Sequence, residues 1–189
     1  FDSEMRPIAA RAQLKGVQLA DREGDPSIST EEALARMETV SLIWRGDDIE
    51  IEAIGELGSI YGKQQRWREA FALARKANGV FPDHPITRKL HDETAQQFEA
   101  LFTTGKADQL PRIDTLALFY DFKEFMPIGR RGDEIIRRLA DRLVEVDLLD
   151  QAAELLQHQI DNRLTGAARA TMAARLAMIR LMSNKTGDA

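Results

Sequence analysis

Residues 51 to 84 read IEAIGELGSIYGKQQRWREAFALARKANGVFPDH, and this stretch decides the fold. In its first half Ile51, Ile54, Leu57, Gly58 and Tyr61 keep the spacing of one helical face. A short polar turn near Gln64 to Arg66 leads to a second run. There Trp67, Ala70, Phe71, Ala74 and Ala77 repeat at intervals of three and four until Pro82 and Pro85 stop it. Gly58, Ala70 and Ala77 are small enough to let two helices approach closely, while Tyr61 and Trp67 fill the space beside them. The segment reads as an antiparallel helical hairpin. A hairpin of this length cannot bury its apolar face alone and has to stack on neighbours.

The same frame falls on 133–166, where Leu139-Ala140, Leu143, Leu149 and Ala152 occupy corresponding places and Gln159 and Leu164 replace the alanine and the proline. A third frame begins near Ala170. Leu176-Ala177 is its close-packing pair, Arg180 replaces the aromatic, and Ala189 stands where the first alanine of the second helix belongs. Upstream, a helix over 4–23 ends at Gly24-Asp25-Pro26, and a second opens with Ser29 and Glu32 in capping-box spacing and closes at Gly46. Asp47 and Asp48 can cap the third helix. Proline marks the first turn of helices over 85–105 and 111–127, Gly129 to Gly132 forms a break, and helices over 133–147, 149–163 and 167–183 complete the chain. No stretch sustains the period-2 alternation of a half-buried strand.

In order and spacing, Leu57-Gly58, Tyr61, Trp67, Ala70, Ala77 and Pro82 resemble a tetratricopeptide repeat. The resemblance implies an all-α, right-handed α-solenoid of antiparallel hairpins, one domain over 1–189 with hairpins at 4–46, 49–82, 85–126 and 133–164 and a truncated repeat at 167–189. A less regular α-solenoid family is the alternative. In tetratricopeptide proteins the first helix of each hairpin lines a concave groove that holds a peptide or protein partner. Carried onto this chain, that wall holds Glu52, Gly55, Ser59, Gly62 and Lys63 in the best repeat. In the degenerate one it holds Glu134, Arg137, Asp141, Val144 and Glu145. Lys63 and Arg137 would pair with ligand carboxylates, and Gly55, Ser59 and Gly62 would let a ligand backbone come close. The expected function is a protein-interaction scaffold without catalysis or cofactor; the alternative is a structural or self-associating segment of a larger repeat protein.

Composition narrows the field independently. Twenty-six basic against 31 acidic residues leave a net charge of −5 over 189 residues, so no overall field draws the chain to nucleic acid. With 43% hydrophobic residues it has the apolar side chains that a disordered chain lacks, and no apolar run approaches the roughly 20 residues of a membrane span. Cysteine is absent, which removes disulfides and thiolate chemistry and suits either a reducing cytoplasm or a periplasm. The first residue is Phe1 rather than Met, and the chain is read as a piece of a longer bacterial protein.

Chemistry-bearing motifs are sparse. His84, His91 and His158 form no metal-ligand spacing, and neither a phosphate-cradling loop nor a nucleophile elbow occurs. Asp47, Asp48, Glu50 and Glu52 cluster, but without the glycine of a calcium loop they read as helix-capping groups. Arg131-Gly132-Asp133 spells an adhesion tripeptide at a helix start, where Asp133 can cap backbone donors instead. Gly55, Gly58 and Gly62 open one side of a helix, chiefly to a neighbouring helix. Phe98, Phe102, Phe119, Phe122 and Phe125 form a core stripe beside Tyr120. Arg130, Arg131, Arg137, Arg138 and Arg142 are offset by Asp133, Glu134 and Asp141 and read as a solvated helix face, with an acidic peptide or a carboxylate terminus as the alternative partner. Met172, Met178 and Met182 make the last helix apolar on many sides, a surface for the next helix of the parent protein or for an end-to-end homo-oligomer.

Overall fold

Every regular element among the described residues is helical, as the periodicity predicts. The computed structural model describes residues 2–23, 28–45, 48–162 and 164–187. They form α1 (Asp2–Glu23), α2 (Thr30–Ile43), α3 (Asp48–Lys63), α4 (Trp67–Val80), α5 (Pro85–Thr103), α6 (Arg112–Asp121), α7 (Arg130–Glu145), α8 (Leu149–Asn162) and α9 (Gly166–Gly187). Short 3-10 turns stand at Lys106–Gln109 and Lys123–Phe125. The chain divides into two units, Phe1–Gln97 and Phe98–Ala189, and the boundary falls inside α5. The expected stops at Gly24-Asp25-Pro26 and Gly46, the cap at Asp47 and the repeat position at Ala189 lie outside the described residues.

In the first unit α3 packs on α2 and α4, and α1 touches both α2 and α3. Leu14, Met37, Ile51, Ile54 and Phe71 are the fully buried centre. Ser29 caps α2 as its spacing predicts, Oγ accepting from the Glu32 N–H at 3.1 Å. The Glu32 carboxylate bonds Arg36 at 2.5 Å. The hairpin turn is closed by two backbone bonds: Arg66 N–H to Tyr61 O at 2.9 Å and Gln65 N–H to Gly62 O at 3.1 Å. This Schellman arrangement needs a left-handed residue at its corner, and Gln65 supplies it with φ 58°.

The second unit repeats that turn. Leu148 N–H donates to Leu143 O at 2.9 Å and Asp147 N–H to Val144 O at 3.0 Å, with Asp147 at φ 62°. Asp147 occupies in the 133–166 frame the place of Gln65, so the degenerate repeat keeps its geometry where its helix-packing residues have drifted. α8 packs on both α7 and α9. Helical hairpins closed by the same turn thus stand in both units, α3–α4 in the first and α7–α8 in the second.

Three expectations about boundaries change. The helix expected over 111–127 ends at Asp121; Phe122 leaves helical geometry at φ −127°, ψ 23°, and a 3-10 turn carries Phe125 back to the core. Phe98, Phe102, Phe119, Phe122 and Phe125 are all buried, with ring centroids of Phe98 and Phe102 4.8 Å apart and of Phe102 and Phe119 5.6 Å apart. The break at Gly129 to Gly132 shrinks to Gly129, which stands at φ 78°. Gly132 lies inside α7, where a side chain would run into the Pro127 carbonyl oxygen. Asp133 does not cap: it is the fourth residue of α7, and its carboxylate accepts from Gln159 at 2.5 Å. Last, α9 runs on to Gly187, past the point where the third frame expects a turn.

Candidate functional site

Alternate helices wall a cleft in each unit. The first, about 500 Å³, lies between α1, α3 and α5 and is lined by Lys15, Gln18, Glu52, Gly55, Glu56, Ser59, Lys89 and Glu93 among others. Its charges answer one another: Lys15 Nζ bonds Glu52 at 3.3 Å, and Lys89 meets Glu93 at 3.6 Å one turn along α5. Of the wall expected here, Glu52, Gly55 and Ser59 line the cleft. Gly62 and Lys63 lie further along α3; Gly62 is buried and Lys63 is exposed at the last turn.

The glycine strip has a close neighbour. A methyl group at Gly55 would stand 3.0 Å from Ile86 Cγ2, at Gly58 2.8 Å from Leu90 Cδ1, and at Gly62 2.7 Å from Gln97 Nε2. Side chains of α5 therefore occupy the space that the missing side chains leave. What remains open to a ligand is the polar margin of Glu52, Glu56 and Ser59.

The second cleft, about 690 Å³, is lined by Glu99 and Thr103 of α5, Arg130, Arg131, Asp133, Glu134 and Arg137 of α7, and Ala168 and Met172 of α9. Glu134 is its electrostatic hub. Arg137 grips both its oxygens at 2.6 to 3.0 Å and Arg138 adds a bond at 2.7 Å. These hydrogen bonds, Arg137 first, hold the Glu134 carboxyl below the usual carboxylate range. Arg131 reaches Glu99 at 3.4 Å, and Arg130 is exposed and makes no ion pair among the described residues. Glu134 and Arg137 both line this cleft. Asp141 instead pairs with Arg175, Val144 is half-buried, and Glu145 lines a separate cavity beside α6.

The acidic cluster before and within α3 takes on a different role. Asp48 is the first residue of the helix, whereas Glu50 is buried and holds Arg45 Nη1 at 3.0 Å and Lys76 Nζ at 3.2 Å. Capping is thus no account of Glu50, which ties the start of α3 to α4. Among the described residues no group of three or more His, Cys, Asp or Glu is arranged to hold a metal ion. His84 Nδ1 accepts from the Ile86 N–H at 3.2 Å at the start of α5. No local motif in the sequence announces Lys15, Gln18, Glu56, Lys89 or Glu93, because three helices distant in sequence bring them together.

No protein-family model matches the chain, and no curated protein matches it. A solved structure that it resembles is a kinesin light chain of Podosopora anserina described as carrying nearly identical TPR-like repeats, 16% identical over 96% of this chain and 90% of that one, with a TM-score of 0.40. No helix among the described residues is long and apolar enough to cross a membrane.

Proposed function

We propose that the chain is a protein-interaction module that holds a peptide or protein segment in its inter-helix clefts. The observation that carries this reading is the second cleft, where Arg130, Arg131 and Arg137 line the wall together with Glu99, Asp133 and Glu134 and with the apolar Ala168 and Met172. An extended acidic segment suits both features: carboxylates meet guanidinium groups bidentately, and apolar side chains bury against the thioether. Arg137 is shared with Glu134 and Arg131 with Glu99, so the charge that a ligand meets first is that of Arg130. The first cleft, with Glu52, Gly55 and Ser59 on its wall and Gly62 and Lys63 further along α3, is proposed as a second, separate peptide-binding surface. No catalytic role is assigned to either.

The test is selection from a random displayed-peptide library on the immobilised chain and on an Arg130→Glu, Arg137→Glu variant shown by circular dichroism to keep its helices and its melting temperature. Peptides rich in Asp and Glu should be enriched on the first and lost on the second. Equal recovery by both would overturn the assignment.

A second reading is self-association. Met178, Leu181 and Met182 are exposed on α9, an apolar strip of the kind that pairs with a further helix or with a second copy. Sedimentation equilibrium distinguishes the two: a concentration-dependent dimer abolished by Leu181→Glu supports pairing, and a monomer at all concentrations refutes it.

A further inference from the structure

Helix α4 ends on Asn78, Gly79 and Val80, and all three are exposed. Its last buried residue is Ala77. Val80 leaves 53% of its surface in solvent, a side chain at Gly79 would meet nothing within 4 Å, and no basic residue in the final turn answers the carbonyl end of the helix. Backbone hydrogen bonds, such as Phe81 N–H to Ala77 O at 2.8 Å, hold this turn in place of side-chain packing. Glycine weakens it further, being among the poorest helix formers, and helix ends of this kind open locally at small free-energy cost.

The residues of that turn carry a reactive pair. Asn78 directly precedes a glycine, whose backbone nitrogen has no neighbouring side chain to shield it. The Asn78 side-chain amide is exposed and makes no hydrogen bond among the described residues. The other two asparagines are placed differently. Asn162 Nδ2 donates to His158 O at 2.9 Å, and neither Asn162 nor Asn184 is followed by glycine.

We propose that Asn78 is a self-modification site, deamidated by the Gly79 nitrogen when the last turn of α4 opens. In the closed helix that nitrogen is committed to an intrahelical bond, and the helical angles of Asn78 keep it away from the side-chain carbonyl. Once the turn is open, the Gly79 nitrogen attacks Cγ of Asn78. The new N–C bond forms, the Cγ–Nδ2 bond breaks, and the Gly79 proton leaves with the amide group as ammonia. Water then opens the cyclic imide at one carbonyl or the other, giving aspartate or isoaspartate. Nothing is oxidised or reduced, and water is the sole co-reactant. Either product sets a carboxylate at the negative end of the helix dipole, and isoaspartate also lengthens the backbone by one carbon, so the final turn is weaker after the reaction than before it. This chemistry is independent of any partner in the clefts.

The full chain is incubated at mildly alkaline pH, folded and in guanidinium chloride, and its tryptic peptide 77–88 is followed by mass spectrometry, with isoaspartate methyltransferase labelling to distinguish the two acids. Acid should accumulate at Asn78 in the folded chain, more slowly than in the unfolded one, while Asn162 and Asn184 remain amides. Gly79→Ala, at a position with open space around it, should slow the folded reaction by about fivefold or more, since the difference in helix propensity closes the turn by that factor and the methyl group shields the nitrogen. An Asn78 amide still intact in the folded chain when the unfolded chain has converted would overturn the proposal. So would a Gly79→Ala chain that converts at the parent rate, or equal conversion at all three asparagines.

Discussion

Gln159 Nε2 donates to Asp133 Oδ1 over 2.5 Å, so the residue that departs from the alanine of its repeat is tied to the helix it faces. Gln159 is 1% exposed; a side chain that large and polar is tolerated between α7 and α8 because Asp133 answers it. Gln159→Ala, which restores the residue of the better repeat, should destabilise the chain by about 2 kcal/mol, because Asp133 loses its partner and a void remains. The urea midpoint measures this. A midpoint that rose on Gln159→Ala would show that the repeat pattern, not the Asp133 bond, governs that position.

Gln65 and Asp147 hold the two matching turns at positive φ. A side chain in that region costs about 1 to 2 kcal/mol relative to a right-handed one, and glycine returns part of the gain as unfolded-chain entropy. Gln65→Gly should therefore raise the melting temperature by about 2 °C, and Asp147→Gly by less, since aspartate accepts the left-handed region more readily. Gln65→Ala, which keeps the strain, is the control. A gain for alanine equal to that for glycine would refute the explanation.

Tyr61 lies buried with its hydroxyl donated to Glu38 Oε1 at 2.6 Å and the Arg66 guanidinium 4.5 Å from its ring centre. Burial first, and the bond to Glu38 second, push its phenol up to about 12. Below pH 10 both the folded and the unfolded chain keep the proton, and the stabilisation is complete. Between pH 10 and 12 the unfolded chain releases a proton that the folded chain retains, so stability falls with rising pH. Burial of Tyr120 also raises its pKa and acts in the same direction. In a Tyr120→Phe chain the tyrosinate absorbance of Tyr61 should accordingly rise near pH 12, and Tyr61→Phe should flatten the fall in stability over this range. A tyrosinate midpoint at pH 10 in the folded Tyr120→Phe chain would contradict the assignment.

Glu50 is 3% exposed and serves Arg45 and Lys76 together. Glu50→Ala should cost about 2 kcal/mol, the range for losing buried hydrogen bonds to charged groups, and Glu50→Gln should cost less. Because the carboxylate is buried, molar salt should leave most of the difference in place. Thermal melts of the three chains at low and high salt measure this. Equal stability of Glu50→Ala and the parent chain would return Glu50 to the role of a surface group.

Much of the architecture was legible because apolar positions in α3, α4, α7 and α8 recur at helical spacing and small residues mark where helices meet. The 111–127 segment misleads for a physical reason. Phe119, Phe122 and Phe125 are spaced by three, a period that a 3-10 turn and one helical face share. Gly132 misleads in the opposite sense, since a glycine demanded by the nearness of the Pro127 carbonyl looks in sequence like a helix stop. Site residues were legible only along single helices. Glu52, Gly55, Ser59, Glu134 and Arg137 reach the clefts, but their counterparts on α1, α5 and α9 arise from contacts across the sequence, and no local pattern encodes them.

The methionines of this chain carry a graded sensitivity to oxidants. Met37 and Met172 are sealed in the core at 0% and 7% exposure, while Met178 and Met182 stand at 65% and 45% on α9. Peroxide reaches the latter pair first and turns each thioether into a polar sulfoxide, leaving the packed hairpins intact. An oxidised preparation would thus keep its fold while the exposed strip of α9 changed from apolar to hydrophilic, and sulfoxide reductases would restore it.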